Sequence, residues 1–137
     1  MTAIEYRDLQ GAKFVNGGRD PEKGLDCWGL FVEVMRRFGH IIPDFKISCS
    51  DSTAIDHMFR VETGKSRMWK PEPGPAAGRA VVLSLDPYMR GMVQHYGVCL
   101  DDKFFIHTLN KTDVIVTRFT HRYFVRKIEG YYSLAPR

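Results

Sequence analysis

Two kinds of side chain in this sequence can act together as a nucleophile and its base: a cysteine at the start of a helical pattern, and histidines set in strand-like runs. Cys27 stands in "GLDCWGLFVEVMRRFG", directly after Asp26. A thiol attacks as its thiolate, and the first turn of a helix favours that anion through its backbone N–H groups and positive dipole end. Asp26 reads as the N-cap, accepting hydrogen bonds from the first turn. A cysteine nucleophile also needs a base, and histidine is the usual one because it titrates near neutrality.

Five histidines are available. His40 follows the helix end, His57 lies in an aperiodic middle segment and His121 stands in a basic run, so each has a structural explanation. His95 in "QHYGVCL" and His107 in "FFIHTL" differ, because a polar residue among apolar strand neighbours needs a reason. Partners across an antiparallel hairpin have positions that add to a constant. For His95 and His107 to share a face, the loop near Asp101-Asp102 must hold an odd number of residues or a bulge, and a three-residue loop is expected. That register also puts Gly97 and Cys99 on the histidine face, with Gly97 leaving open space between the polar groups.

Other readings of the same residues stay open. Cys27 lies on the stripe Phe31, Val34 and Phe38, so it can be a small core residue. Each strand histidine can be a satisfied core group. Cys27, His95 and His107 are also zinc-ligand types, but no fourth ligand stands at a fitting spacing, so neither a metal nor another cofactor is expected.

The elements that must position these groups follow from patterning. Residues 4–10 read as a short helix and "VNGGRDPEKG" as a loop, because Gly17, Gly18 and Pro21 exclude regular structure. The nucleophile helix runs from Cys27 to a glycine stop at Gly39, and "STAIDHMFRVETG" reads as a second helix. "KPEPGPAAG" reads as a loop. Strand-like runs follow at "RAVVLSL", "QHYGVCL", "KFFIHTL", "DVIVTRF" and "YFVRKIEGYYS". Helices first and an antiparallel sheet of about five strands afterwards is the α+β pattern.

A chain of 137 residues with 44% apolar content suits a single domain over residues 1–137. Mixed charge argues against disorder, and no apolar run is long enough for a membrane span. The first residues contain acids and no apolar h-region, so no signal peptide is expected and synthesis in the cytoplasm follows. A net charge of +4 gives only a mild attraction to polyanions. The basic residues of "TRFTHRYFVRKIEG" alternate with aromatic and β-branched ones and read as the solvent face of strands, so nucleic acid is not an expected partner. Three unclustered cysteines, Cys27, Cys49 and Cys99, indicate no disulfide framework and at least one free thiol. Cys99 reads as a packing residue because it lacks a helix start.

Three segments resemble, in order, the NlpC-type bacterial cell-wall peptidases, which are papain-like cysteine hydrolases. "KFVNGGRDPEKGLDCWGL" is similar to the family's aromatic-x-x-Gly-Gly loop leading into Asp-Cys-small-Gly-Leu. "HYGVCLDD" is similar to its His-x-Gly-(Val/Ile)-x-Leu strand, and "FFIHTL" to its Phe-Ile-His-Ala strand. The resemblance covers residues 11 to 133, including the closing "KIEGYYS". It implies a papain-like fold, with Cys27 as nucleophile, His95 as general base and His107 orienting His95. Phe14, Gly17, Gly18, Asp26 and Trp28 would lie around the substrate and oxyanion positions. It implies a hydrolase of amide bonds in peptidoglycan stem peptides, an endopeptidase or amidase working through a thioester.

Trp28, where many members have serine, looks most like the phage-associated branch and implies phage tail proteins as partners and a virion-associated enzyme acting on the cell wall. The alternative within that branch is a tail-tip assembly protein that keeps the fold with weak or no hydrolysis. Many members carry a tyrosine before the Gly-Gly pair, its hydroxyl near the nucleophile; this chain has Phe14 there.

Overall fold

A computed structural model describes residues 3–42, 69–86, 88, 93–108 and 112–134. The expected helix at "STAIDHMFRVETG" lies outside them. At the N-terminal end the expected helix is a single 3₁₀ turn, Arg7–Leu9. Two short strands, β1 (Arg19–Asp20) and β2 (Gly24–Leu25), pair antiparallel and deliver the chain to helix α1 (Cys27–Arg37).

The ends of α1 follow from local chemistry. Asp26 in extended conformation accepts from the Gly29 N–H. At the other end Gly39 has φ +92°, its N–H donates to the Arg36 carbonyl, and the His40 N–H donates to the Met35 carbonyl. These paired bonds close the helix with glycine in the left-handed region, which costs glycine little.

A six-stranded antiparallel sheet follows, built from β3 (Trp69–Glu72), β4 (Ala80–Leu83), β5 (His95–Cys99), β6 (Phe104–His107), β7 (Ile115–Arg118) and β8 (Ile128–Leu134) in the order β3-β8-β4-β5-β6-β7. The expectation of about five strands is therefore corrected: among the described residues the main sheet has six, beside the β1-β2 pair. The strand missed is β3, because "KPEPGPAAG" reads as a loop. Among the described residues β3 pairs with β8 alone and sits at the sheet edge, the position where a strand proline is tolerated. The last strand also starts later than its alternation suggests. Residues 119–127 form turns, and β8 begins at Ile128.

Strand alternation divides the core into two layers. On one face Ala80, Val82, Tyr96, Val98 and Ile106 pack with Cys27, Trp28, Leu30, Phe31, Val34 and Phe38 of the helix segment. On the other, Val81, Leu83, Cys99 and Phe105 pack under Phe119 and Phe124. Central strands β4 and β5 are buried on both sides, which is why their sequences read as nearly unbroken apolar runs.

Candidate functional site

The start of α1 is fastened by Asp26. Its carboxylate is 1% exposed and takes hydrogen bonds from three directions: Gly29 N–H at 2.7 Å, Gly17 N–H at 3.0 Å and the Arg19 guanidinium at 2.7 Å. A buried carboxylate is tolerable when its lone pairs are satisfied in this way. The Gly17-Gly18 loop is thereby wrapped against the helix. Gly17 has φ +76°, and a Cβ on Gly29 would run into the Gly18 carbonyl. Phe14, half-buried, bridges Leu25 just ahead of Asp26.

Cys27 is the first residue of α1 and is buried, as its stripe with Phe31, Val34 and Phe38 predicts. Its sulfur lies 3.3 Å from the Tyr96 hydroxyl. The sequence reading expects a thiol here, whereas in the structure this sulfur is held in a disulfide. Cys99 is a free cysteine, fully buried, with burial pushing its thiol up to about 12; it is a packing residue as expected. Trp28 is buried too, stacked on Phe31 at 5.1 Å and edge-on to Tyr96 at 5.4 Å.

The two histidines meet as their spacing predicts. Val98 faces Ile106 and Cys99 faces Phe105, and Leu100 N–H reaches the Phe104 carbonyl, which leaves the three-residue loop Asp101, Asp102 and Lys103. Asp101 closes it by accepting from the Lys103 and Phe104 N–H groups. The odd loop puts His95 and His107 on one face, with His95 Nε2 2.8 Å from His107 Nδ1. Beyond it, His107 Nε2 lies 2.8 Å from Thr117 Oγ1 on β7.

One expectation is corrected here. Gly97 does not leave open space, since a Cβ there would press on the Ile106 carbonyl, His107 and Phe105; glycine instead lets the histidine strand close up. The helix covers the other sheet face. His107 packs against Phe105 and Phe124 of the second layer, at 4.4 and 5.0 Å between ring centres, while Tyr96 is the residue of that strand end facing α1. His95 is the first residue of β5.

Burial governs the protonation of this pair. It pushes His95 down to about 4, and it lowers His107 further with help from the charge of His95 and of His121. Both imidazoles are neutral at pH 7, one N–H each. If His95 Nδ1 is to accept a proton, Nε2 must carry the hydrogen and donate to His107 Nδ1. His107 Nε2–H then donates to Thr117, so under that condition each ring has a single tautomer.

The same shifts set an acid limit. Unfolded histidine binds a proton near 6.5 and folded His95 only near 4, so the unfolded state holds more protons between those values and stability falls as pH drops through that window. Urea-unfolding midpoints should decline from pH 6.5 to 4. A flat profile would show that the histidines are not held neutral.

Sequence reasoning missed Tyr96 and Thr117. Tyr96 was readable by parity, because the neighbour of a histidine on one strand face must point to the other. Thr117 follows from the β6-β7 register, in which Phe105 faces Thr117.

Residues 11–132 match the sequence model of the NlpC/P60 family. The chain belongs to the NlpC/P60 family. A solved NlpC/P60 structure, of a protein similar to a lipoprotein from Staphylococcus aureus subsp. aureus Mu50, superposes with a TM-score of 0.59 at 20% identity. It covers 94% of this chain, but this chain spans only 38% of that one, so the shared part is the fold of the NlpC/P60 domain. No curated protein matches the chain by sequence. Cys27, His95 and His107 all lie within the matched residues.

Proposed function

We propose that this NlpC/P60 protein is a cysteine-dependent hydrolase of amide bonds in peptidoglycan stem peptides, with Cys27 as nucleophile, His95 as base and His107 as the group that orients His95. The observation that carries this reading is the bonded line His95, His107, Thr117, with 2.8 Å at each step, which begins on β5, a strand that packs against the helix bearing Cys27. That arrangement suits a base whose near nitrogen, Nδ1, takes the thiol proton.

In the reaction, the reduced Cys27 sulfur adds to the scissile carbonyl carbon. The carbonyl oxygen gains negative charge, which the N-terminus of α1 favours, with the Cys27 N–H as donor. Collapse breaks the C–N bond, His95 returns the proton to the leaving amine, and a thioester remains. Water, deprotonated by His95, adds to the thioester and releases the acid and the thiol. Thr117 and His107 keep the imidazole of His95 in one orientation throughout.

The phage-tail association rests on Trp28 in "DCWGL" and is part of the same proposal, with tail proteins as partners. Digestion of purified peptidoglycan followed by mass spectrometry of the muropeptides tests the activity and names the bond. New free amino and carboxyl ends within stem peptides are expected from wild type. Intact stem peptides after prolonged digestion by reduced protein would reject hydrolysis and favour a tail-tip assembly role.

Because the Cys27 sulfur is in a disulfide, a reductant should be needed before iodoacetamide labels it. Once reduced, the Cys27 peptide should be carbamidomethylated at neutral pH while the Cys99 peptide stays unmodified, since burial holds that thiol protonated. Equal labelling of Cys27 and Cys99 would remove the case for an activated nucleophile.

A further inference from the structure

Tyr96 is buried at the helix N-terminus, and its hydroxyl lies 3.3 Å from a sulfur 69 positions away in the chain. The ring is held from two sides by α1, edge-on to Trp28 at 5.4 Å and to Phe31 at 5.2 Å, so the hydroxyl has a fixed aim. A disulfide sulfur has no hydrogen to give, which makes the hydroxyl the donor in this contact.

We propose that Tyr96 is a positioning residue: its hydroxyl donates a hydrogen bond to the Cys27 sulfur, keeps doing so when that sulfur is a thiolate, and holds the anion at the start of α1. This rests on the reading of Cys27 as the nucleophile. Burial, reinforced by the nearby charge of Asp26, raises the phenol well above its ordinary range, so the hydroxyl keeps its proton and remains a donor. A donor held by packing loses little freedom when charge develops, which is the condition for it to favour the anion strongly. The opposite polarity, thiol S–H donating to the phenol oxygen, would favour the neutral thiol instead. The two therefore differ in sign.

The test is the pH dependence of iodoacetamide alkylation in fully reduced protein, followed on the Cys27 peptide by mass spectrometry. Tyr96→Phe keeps the ring and removes the donor. Its alkylation midpoint should rise by about one pH unit, corresponding to a roughly tenfold lower rate on the acid side of the transition. An unchanged midpoint, or a lower one, overturns the proposal. A urea-unfolding curve matching wild type confirms that the variant is folded. If it is not, 3-fluorotyrosine at position 96 replaces it as the probe: a more acidic hydroxyl donates more strongly and should lower the midpoint, and no shift or a rise overturns the proposal. The readout is alkylation, so it stands whether or not peptidoglycan is cleaved. Loss of hydrolysis with an intact Tyr96 effect would sink the substrate, not the positioning role.

Discussion

Replacing Cys27 by alanine is expected to reduce peptidoglycan hydrolysis by about four orders of magnitude or more relative to the reduced wild type. The size follows from what the sulfur does: no other group at the helix start can form the acyl intermediate, and the remaining oxyanion and binding contributions act on a carbonyl that nothing attacks. His95→Ala should be nearly as damaging, and the double variant no worse than the single one, because the two residues act on one proton and one bond. Hydrolysis rates on reduced proteins, with muropeptides quantified by mass spectrometry, measure this. Additive losses would mean that Cys27 and His95 do not share a step. Activity retained in Cys27→Ala would place the nucleophile elsewhere.

The largest effect on stability is expected from Gly29→Ala. Helix propensity alone predicts the reverse, since alanine in place of glycine inside a helix gains about 1 kcal/mol. Here the added Cβ meets the Gly18 carbonyl, which is backbone and is itself held, accepting from Arg19 Nη1 at 2.9 Å and from the Asp26 N–H at 3.4 Å. Relief requires shifting the Gly17-Gly18 loop or the helix start. Either movement loosens the bonds of Asp26 to Gly17, Arg19 and Gly29. Overpacking of this kind costs about 1–3 kcal/mol, and weakened caps and a buried carboxylate add to it, so the loss outweighs the propensity gain. A thermal midpoint lower by roughly 5 °C is expected. Gly39→Ala is the comparison: among the described residues no atom lies within 4 Å of a Cβ there, and the positive φ is what opposes it, so its cost should be smaller, about 1 kcal/mol. A Gly29→Ala protein as stable as wild type would mean that the contact with Gly18 is not tight.

Residues 26 to 39 were legible because helix ends are local. Asp26 needs the N–H of a residue three positions on, and Gly39 needs only its own backbone freedom, so both functions follow from sequence spacing. The pairing of His95 with His107 was legible for a related reason: side chains alternate strictly along a strand, and a hairpin of odd loop length carries that parity across the turn. The family motifs then supplied the roles that spacing cannot assign.

What the tertiary structure decided is where separate elements meet. That Pro71 lies in a strand depends on β3 being an edge, which is a property of strand order, not of the segment. That α1 covers the Tyr96 face while the histidines belong to the layer of Phe105 and Phe124 depends on how two apolar surfaces are shared between one helix and the C-terminal turns. The hydroxyls of Tyr96 and Thr117 reach Cys27 and His107 across 69 and 10 positions of chain, and such contacts have no local signature. The residues at positions 26, 27, 95 and 107 state the chemistry available, since capping, ionisation and strand parity act over a few residues. The partners of those groups are set by packing, because burial of both sheet faces is a property of the whole chain and not of any segment in it.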